Sequence, residues 1–583
     1  MTRRRTHPAT PAAASPAPLR SLPGPGVLAL AAVLILLWVL GYADSLRLPF
    51  VRDDYFFLDK VRGAGFAELW APRDLISGYY RPWGRELHFW ALERAFGLQV
   101  VPWHLTSAAL WLAVLALYFV FVRRLAGTVT AAIATAGATA LGAWGVLLVW
   151  VSGAQDLWML LFGLLCLLAC SSRHPVWAAT ALAGALLSKE LALVLPFIAL
   201  SYQVLCERAS WPQALRRTAA FWPMLAAWAI AHPALGGRFA YGSGIRFDPR
   251  GRPAAGLADL SRLLAMANLD RRLEPAAGWG PALLLGAVTA AALAGLVLWS
   301  AAAQPRGPAT SATFVPRVET RRLLWFGGVW SLAGWSAAFM PSLGWHPYYG
   351  LLGALGAWLV VAVALTRRPM VAATLVGAVG LLRPAHQSTR SEDWGTESYQ
   401  RRVAAAVGYL HGELVARHPV LPAHSRIYLA NLPGETGLVT GTGEAPAFRL
   451  WYRDTTLRGG FFREYTPRRA GSPGDDFFFA ADSNLRLIEF HRGAHAVPAD
   501  LARNPVWQLG ENELATIFSE RGEWDAALQG FLTLASVDPG AYDYAHNAAV
   551  CYARLGDTLS AVRWLRRSAA LSDSARRAVT TRR

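Results

Sequence analysis

Through its first two thirds the chain alternates long apolar blocks with short polar punctuation, and its character changes near residue 383. Blocks such as GVLALAAVLILLWVLGY (Gly26–Tyr42) and LLWFGGVWSLAGWSAAFM (Leu323–Met340) carry no charge. They approach or reach the ~17–25 residues that a helix needs to cross a bilayer core. Eleven such blocks thread the chain, with cores at 26–42, 105–122, 129–150, 154–171, 175–187, 191–205, 219–234, 281–301, 323–340, 348–365 and 369–382. With the N-terminus in the cytoplasm, every short cytoplasmic turn holds arginine: Arg123–Arg124, Arg173, Arg208 with Arg216–Arg217, Arg317 with Arg321–Arg322, and Arg367–Arg368. The short opposite turns, around Gly153 and Leu343, hold none, which is the positive-inside pattern. Val176–Leu205 reads either as one long helix through Ser188-Lys189-Glu190 or as two short ones. A single helix would turn Arg208, Arg216 and Arg217 outward, so the charge pattern selects a break at Ser188–Glu190.

An odd number of spans puts the N-terminal tail (1–25) and the C-terminal region on opposite sides. The expected architecture is an all-α polytopic membrane domain (26–383, about eleven transmembrane helices) with an exterior loop at 43–103. An exterior α/β unit (384–505) follows, with a helix near Tyr399–Ala416 and strands at RIYLANL (Arg426–Leu432), DFFFAA and RLIEFHR. Residues 506–575 repeat at a period of 34: Ala515 matches Ala549, Phe518 Tyr552, Gly522 Gly556, Ala527 Ala561, Phe531 Leu565 and Ala535 Ala569. Small residues where two helices touch, and large ones between units, are the packing logic of tetratricopeptide helix pairs. Two units are too few for a free solenoid, so they dock on the α/β unit or bind a protein partner. The expected location is a cell (inner) membrane, with the N-terminus cytoplasmic and the C-terminal region periplasmic or extracellular.

Composition agrees. Hydrophobic residues make up 54% of the 583 and charged residues only 16%, against about 25% charged in soluble domains. The basic start MTRRR suits a signal peptide, but no small-x-small cleavage site follows the first block, so it is read as a retained helix. The net charge of +18 does not point to nucleic acid, because the arginines lie largely in turns between apolar blocks rather than in a basic stripe with interleaved aromatics. Of the 56 basic residues only Lys60 and Lys189 are lysine, which singles out a lysine inside the membrane domain. Cys166, Cys170, Cys206 and Cys551 give no disulfide framework and read as small hydrophobes.

Candidate chemistry lies where charge meets the apolar blocks. Asp53–Asp54 follows the first span among Phe50, Tyr55, Phe56 and Phe57. A carboxylate held there acquires a raised pKa and can serve as a base, unless the pair is simply a solvated turn. Asp156 stands at the exterior end of the fourth span and Lys189-Glu190 at the helix break; charges in a bilayer are costly and by default face a cavity, although a Lys–Glu pair can also cap two short helices. Arg81 in YYRPWGRE, and His346 with Tyr348 in GWHPYY, complete the exterior set. Singly they read as a lipid-phosphate anchor and turn residues. The stretch Tyr79–Phe96 can form an interfacial amphipathic helix, with Trp83, Leu87, Trp90 and Leu92 apolar and Arg85, Glu86, Glu93 and Arg94 polar. No zinc pattern, Walker loop, dinucleotide fingerprint or nucleophile elbow occurs. No cofactor motif is recognised, and use of a divalent metal is left open.

In order along the chain, FVRDD, YYRP, WHLTSAALW, GAQDLWMLLF, LSKE and PSLGWHPYYGLLGALG, followed by terminal repeats, resemble the GT-C superfamily of polyprenyl-phosphate-sugar glycosyltransferases. The nearest branch is that of the tetratricopeptide-containing protein O-mannosyltransferases. The resemblance covers residues 26–385, with the repeats as separate support. It implies that Asp53 or Asp54 is the catalytic carboxylate, and that Arg81, Asp156, Lys189, Glu190, His346 and Tyr348 line the cavity. It implies a polyprenyl-phosphate sugar as donor, a protein or glycan hydroxyl as acceptor, and inversion of the anomeric centre. Trp345-His346-Pro347 stands where the family usually has an arginine before its tyrosines, and the GAQD segment lacks the arginine common before its acid. Two rival readings remain: a non-catalytic membrane anchor for the repeats in envelope assembly, and a transporter, which recognisable repeat halves with matching broken helices would support.

Overall fold

The structure, a computed structural model, describes residues 25–72, 79–232, 267–269, 278–303, 318–336, 346–386, 395–432, 438, 445–482, 484–493 and 497–580. The N-terminal tail, Arg317, the Leu343 turn and Trp345 lie outside them. Helix α1 (Pro25–Tyr42) buries a stripe of Leu30, Leu34 and Leu37 and leaves Ile35, Leu36, Val39 and Leu40 exposed. That spacing is one face of a helix, with the rest free to meet lipid. Five segments are long and apolar enough to cross a membrane: Leu28–Arg47, Val100–Ala126, Val151–Ser171, Trp279–Ala302 and Pro347–Leu365. Five shorter apolar helices stand beside them: Thr128–Thr139, Pro175–Leu186, Glu190–Leu205, Phe221–Ala231 and Pro369–Leu382. The chain is thus a multi-pass membrane protein.

One expected span is interrupted. The block at 129–150 forms two helices, Thr128–Thr139 and Trp144–Val149, with a turn between them. Breaking a helix among apolar neighbours strands backbone groups that must find partners. Asn268, fully buried, supplies them: it donates to the carbonyls of Ala140 and Val379 at 2.8 Å each and accepts from the Gly142 amide at 2.7 Å. A second interruption falls at Ser188–Glu190. The helix Pro175–Leu186 ends there, Lys189 is extended (φ −161°), and the chain restarts as a tight turn at Glu190–Val194 before Leu195–Leu205.

The arginine-bearing turns gather at one end of the bundle. Arg124 reaches Ser172 at 2.7 Å, Arg173 pairs with Glu207 at 3.2 Å, and Arg208 approaches Glu319 at 3.6 Å. At the other end lie α2 (Asp53–Arg62), α3 (His88–Phe96) and the described part of the C-terminal region. Arg401 meets Asp44 at 2.5 Å, Arg449 meets Asp59, and a side chain at Gly145 would collide with Glu397.

Beyond the bundle, a helix at Glu397–Arg417 precedes strands β1 (Arg426–Ala430), β2 (Arg458–Phe461), β3 (Asp476–Ala481) and β4 (Leu487–Phe490). The sheet order is β2-β1-β3-β4, with β1 parallel to both neighbours and β4 antiparallel to β3. Alternation divides the strands between two cores. Leu429, Phe479 and Leu487 pack on Leu410 and Leu414 of the preceding helix, whereas Tyr428, Phe478 and Phe490 join Trp507 and Phe518 of the following helices. Those helices form two pairs, Pro505–Glu520 with Trp524–Val537 and Tyr542–Arg554 with Thr558–Thr580. Gly522 and Gly556, which correspond in the repeat, both end their helices at positive φ (78° and 87°), a conformation that glycine adopts without strain. A Cβ on Gly530 would lie 2.8 Å from that of Ala515, which is why the contact within the first pair needs small residues.

Candidate active site

The segment around Trp83 and Gly84 is seated directly on the break at Ser188–Glu190. The Trp83 amide donates to the Leu187 carbonyl at 3.0 Å, which satisfies a carbonyl left over at the helix end. A Cβ on Gly84 would sit 2.9 Å from the Ser188 Cα, so only glycine allows this approach of two backbones. The expected amphipathic surface helix over Tyr79–Phe96 is corrected here. Pro82–Leu87 winds as a wide π-turn before α3, and Arg85 and Glu86 are 2% and 3% exposed. Their charges are matched internally: Arg85 Nε donates to Glu86 Oε1 at 2.9 Å and Lys60 Nζ to the same oxygen at 3.1 Å.

Seating the loop places Arg81 against residues 155 and 190. Arg81 grips Glu190 with two prongs, Nε–Oε1 2.9 Å and Nη2–Oε2 2.6 Å, and its Nη1 donates to Gln155 Oε1 at 2.8 Å. One residue before Glu190, Lys189 donates to Asp156 Oδ2 at 2.5 Å. The Lys189 ammonium also lies 5.0 Å from the ring centre of Tyr348 and 4.8 Å from that of Tyr349. His346 stacks on Tyr348 with centroids 5.9 Å apart and planes 7° from parallel, and a side chain at Gly395 would collide with it. The imidazole therefore meets the charge cluster through the tyrosines.

The two aspartates, although adjacent, face different surroundings. Asp54 is 1% exposed and accepts three hydrogen bonds: from the Val51 amide at 3.0 Å, the Ser152 amide at 2.9 Å, and the Ser152 hydroxyl. Burial pushes its carboxyl up to about 7, against the pull of those donors. Asp53 is half-buried and makes no hydrogen bond among the described residues. Burial raises its pKa as well, while Arg52, Arg81 and Arg85 draw it down. Asp53 is thus a carboxylate facing cations with its proton-accepting oxygens unspent.

No protein-family model matches the chain, and no curated protein does. Three solved structures do. ArnT from Cupriavidus metallidurans bound to undecaprenyl phosphate is 16% identical, over 79% of this chain and 93% of that one, with a TM-score of 0.36. The apo oligosaccharyltransferase of Archaeoglobus fulgidus is 12% identical, over 75% of this chain and 64% of that one, at 0.38. The same ArnT in its apo state is 18% identical, over 73% and 84%, at 0.31. Superpositions this loose carry no argument about chemistry, so the functional reading rests on the site.

The site has a hub that the sequence did not single out. Ser152, Gln155 and Asp156 occupy one turn and reach Asp54, Arg81 and Lys189 respectively. Their spacing places them on one face at a helix start, a signal available in SGAQD (Ser152–Asp156) but read only for Asp156. His232 is also new: its Nε2 lies 3.1 Å from Glu190 Oε1, and it is fully buried. A lone histidine closing an apolar block gives no cue to a partner 42 positions away. Two cations, Arg81 and Lys189, face two carboxylates, Glu190 and Asp156, so the cluster is near neutral; Asp53 lies within the field of Arg81 without pairing with it. Among the described residues no group of three His, Cys, Asp or Glu side chains is placed to hold a metal ion.

Proposed function

We propose that this protein is a membrane glycosyltransferase that moves a sugar from a polyprenyl-phosphate donor to a hydroxyl acceptor, with inversion, at the pole that carries the C-terminal region. The observation that carries the reading is the convergence of Arg81, Asp156, Lys189, Glu190 and Tyr348 from separate segments, with Asp53, a carboxylate without a hydrogen-bond partner among the described residues, within the field of Arg81. A membrane anchor for the repeats has no need of such a cluster, whose burial is costly.

In this mechanism Asp53 takes the proton of the acceptor hydroxyl as its oxygen attacks the anomeric carbon. The bond from that carbon to the phosphate oxygen breaks, and its electron pair leaves with the polyprenyl phosphate. A phosphate is stable as an anion, so no general acid is required; the developing charge is met by Lys189 and Arg81, held in place beforehand by Asp156 and Glu190. Tyr348, buried against Lys189, orients the ammonium, and His346 supports Tyr348 from behind. Tetratricopeptide-like helix pairs on the same pole suit capture of a protein acceptor.

The test is transfer by purified protein in liposomes, supplied with radiolabelled polyprenyl-phosphate hexoses and envelope protein or glycan acceptors. Label in an acceptor, absent with Asp53→Asn, is the expected result. Label that depends on neither Asp53 nor Lys189 would sink the assignment.

A further inference from the structure

The helix that carries the acidic pair, α2, is held along its length by the C-terminal α/β unit. At its start, Arg52 has φ +51° and ψ −116°, a backbone state that a non-glycine residue keeps only when its surroundings impose it. Part of that constraint is Tyr399: the Arg52 guanidinium lies 5.5 Å from its ring centre, and Nη1 is 3.4 Å from its hydroxyl. One turn on, Tyr55 meets Trp451 edge to face with centroids 5.9 Å apart. Further along, Arg449 closes a two-pronged ion pair on Asp59, Nε–Oδ1 3.0 Å and Nη2–Oδ2 2.5 Å. Arg449 and Trp451 belong to one short helix, Pro446–Trp451, and Trp451 is in turn stacked on His411 at 4.3 Å. The opposite side of α2 is fixed by Asp54 on Ser152 and Lys60 on Glu86.

Asp53 itself has no such fastening, so its place in the field of Arg52, Arg81 and Arg85 depends on where the rest of α2 is held. A ten-residue helix is ~15 Å long; Asp54 pins its first turn, so the contact on Asp59, ~7.5 Å further along the axis, sets the direction of α2 and with it the rotation of the Asp53 side chain about that pin. The pair on Asp59 is partly solvated (side chains 24% and 11% exposed), which makes it a weak source of stability but a directional one.

We propose that Arg449 is a positioning residue for sugar transfer: by holding Asp59 it orients α2 and sets Asp53 against Arg81 and Arg85, which makes the α/β unit a working part of the active site. The inference rests on the glycosyl-transfer reading.

The experiment compares full-length wild type with Arg449→Met, Asp59→Asn and the double variant in liposomes, with rates expressed per folded molecule. Each single change is expected to lower kcat roughly tenfold with donor KM within about twofold, since displacing a reacting group by a fraction of an ångström acts on the transition state. The double variant should be about as slow as the worse single one, because both remove one constraint. The acidic limb of the kcat–pH profile should move up as Asp53 loses the cations that hold it down, and Arg449→Lys should recover part of the rate. A kcat and acidic limb unchanged in both single variants, or losses that multiply in the double variant, overturn the inference alone. A wild type that transfers no sugar from any polyprenyl-phosphate donor overturns the parent reading and this one together.

Discussion

Substituting the adjacent aspartates separately should give opposite phenotypes. Asp54→Ala removes the acceptor for the Val51 amide, the Ser152 amide and the Ser152 hydroxyl, all around a residue 1% exposed. An unsatisfied buried donor costs ~1–3 kcal/mol, so three of them amount to roughly 3–9 kcal/mol, a large share of the ~5–15 kcal/mol that holds a typical domain together. The protein should melt far lower or fail to accumulate. Asp53→Asn breaks no hydrogen bond among the described residues, so its stability should stay within about 1 kcal/mol of wild type. Its transfer rate should nevertheless fall by roughly 10²–10⁴, the usual worth of a positioned base. The assay pairs thermal inactivation in detergent with sugar transfer per folded molecule. The reasoning fails if Asp53→Asn keeps more than about a tenth of the wild-type rate, or if Asp54→Ala leaves the melting temperature unmoved.

Gly84→Ala should cut transfer sharply while the bundle still folds, since the new methyl meets the Ser188 backbone at 2.9 Å and lifts Arg81 off the cluster; donor binding measured by competition would register it. Arg81→Lys keeps the charge but loses the two-pronged grip on Glu190 and the bond to Gln155, and kcat/KM should drop ~10–100-fold. Glu511, buried in the first helix pair, has its carboxyl pushed up to about 7 by burial, above the unfolded value of 4.5. The folded state therefore holds the proton more tightly, and this contribution is complete below pH 4.5 and is lost as pH rises through about 7. The melting temperature should fall over that window, and Glu511→Gln should flatten the fall, recovering up to about 3 kcal/mol at pH 8.

What could be read in the chain was what repeats or contrasts locally. Apolar blocks specify helices whatever they pack against, because an unpaired backbone cannot sit in lipid. The arginine turns sort to one pole by charge alone, and a lysine next to a glutamate in an apolar stretch marks the break at Ser188–Glu190. Glycines 34 residues apart both end helices at positive φ because the same turn is needed twice. The polar positions Asp53, Arg81, Asp156, Lys189 and Glu190 could be named because charge is conspicuous in such a background.

Partnership could not. Whether Asp53 or Asp54 is spent on structure depends on Ser152, 98 positions away, and the burial of Arg85 and Glu86 depends on Lys60 and on the π-turn that rotates them inward. The interruption of the block at 129–150 is made tolerable by Asn268, and α2 is oriented by Arg449, 390 positions later. Hydrogen bonds and ion pairs act over about 3 Å of space and are indifferent to distance along the chain. The amino-acid sequence by itself therefore determined which segments form apolar helices and which charges are unusual. Only the tertiary structure decided which of those charges neutralise one another and which one is left without a hydrogen-bond partner among the described residues.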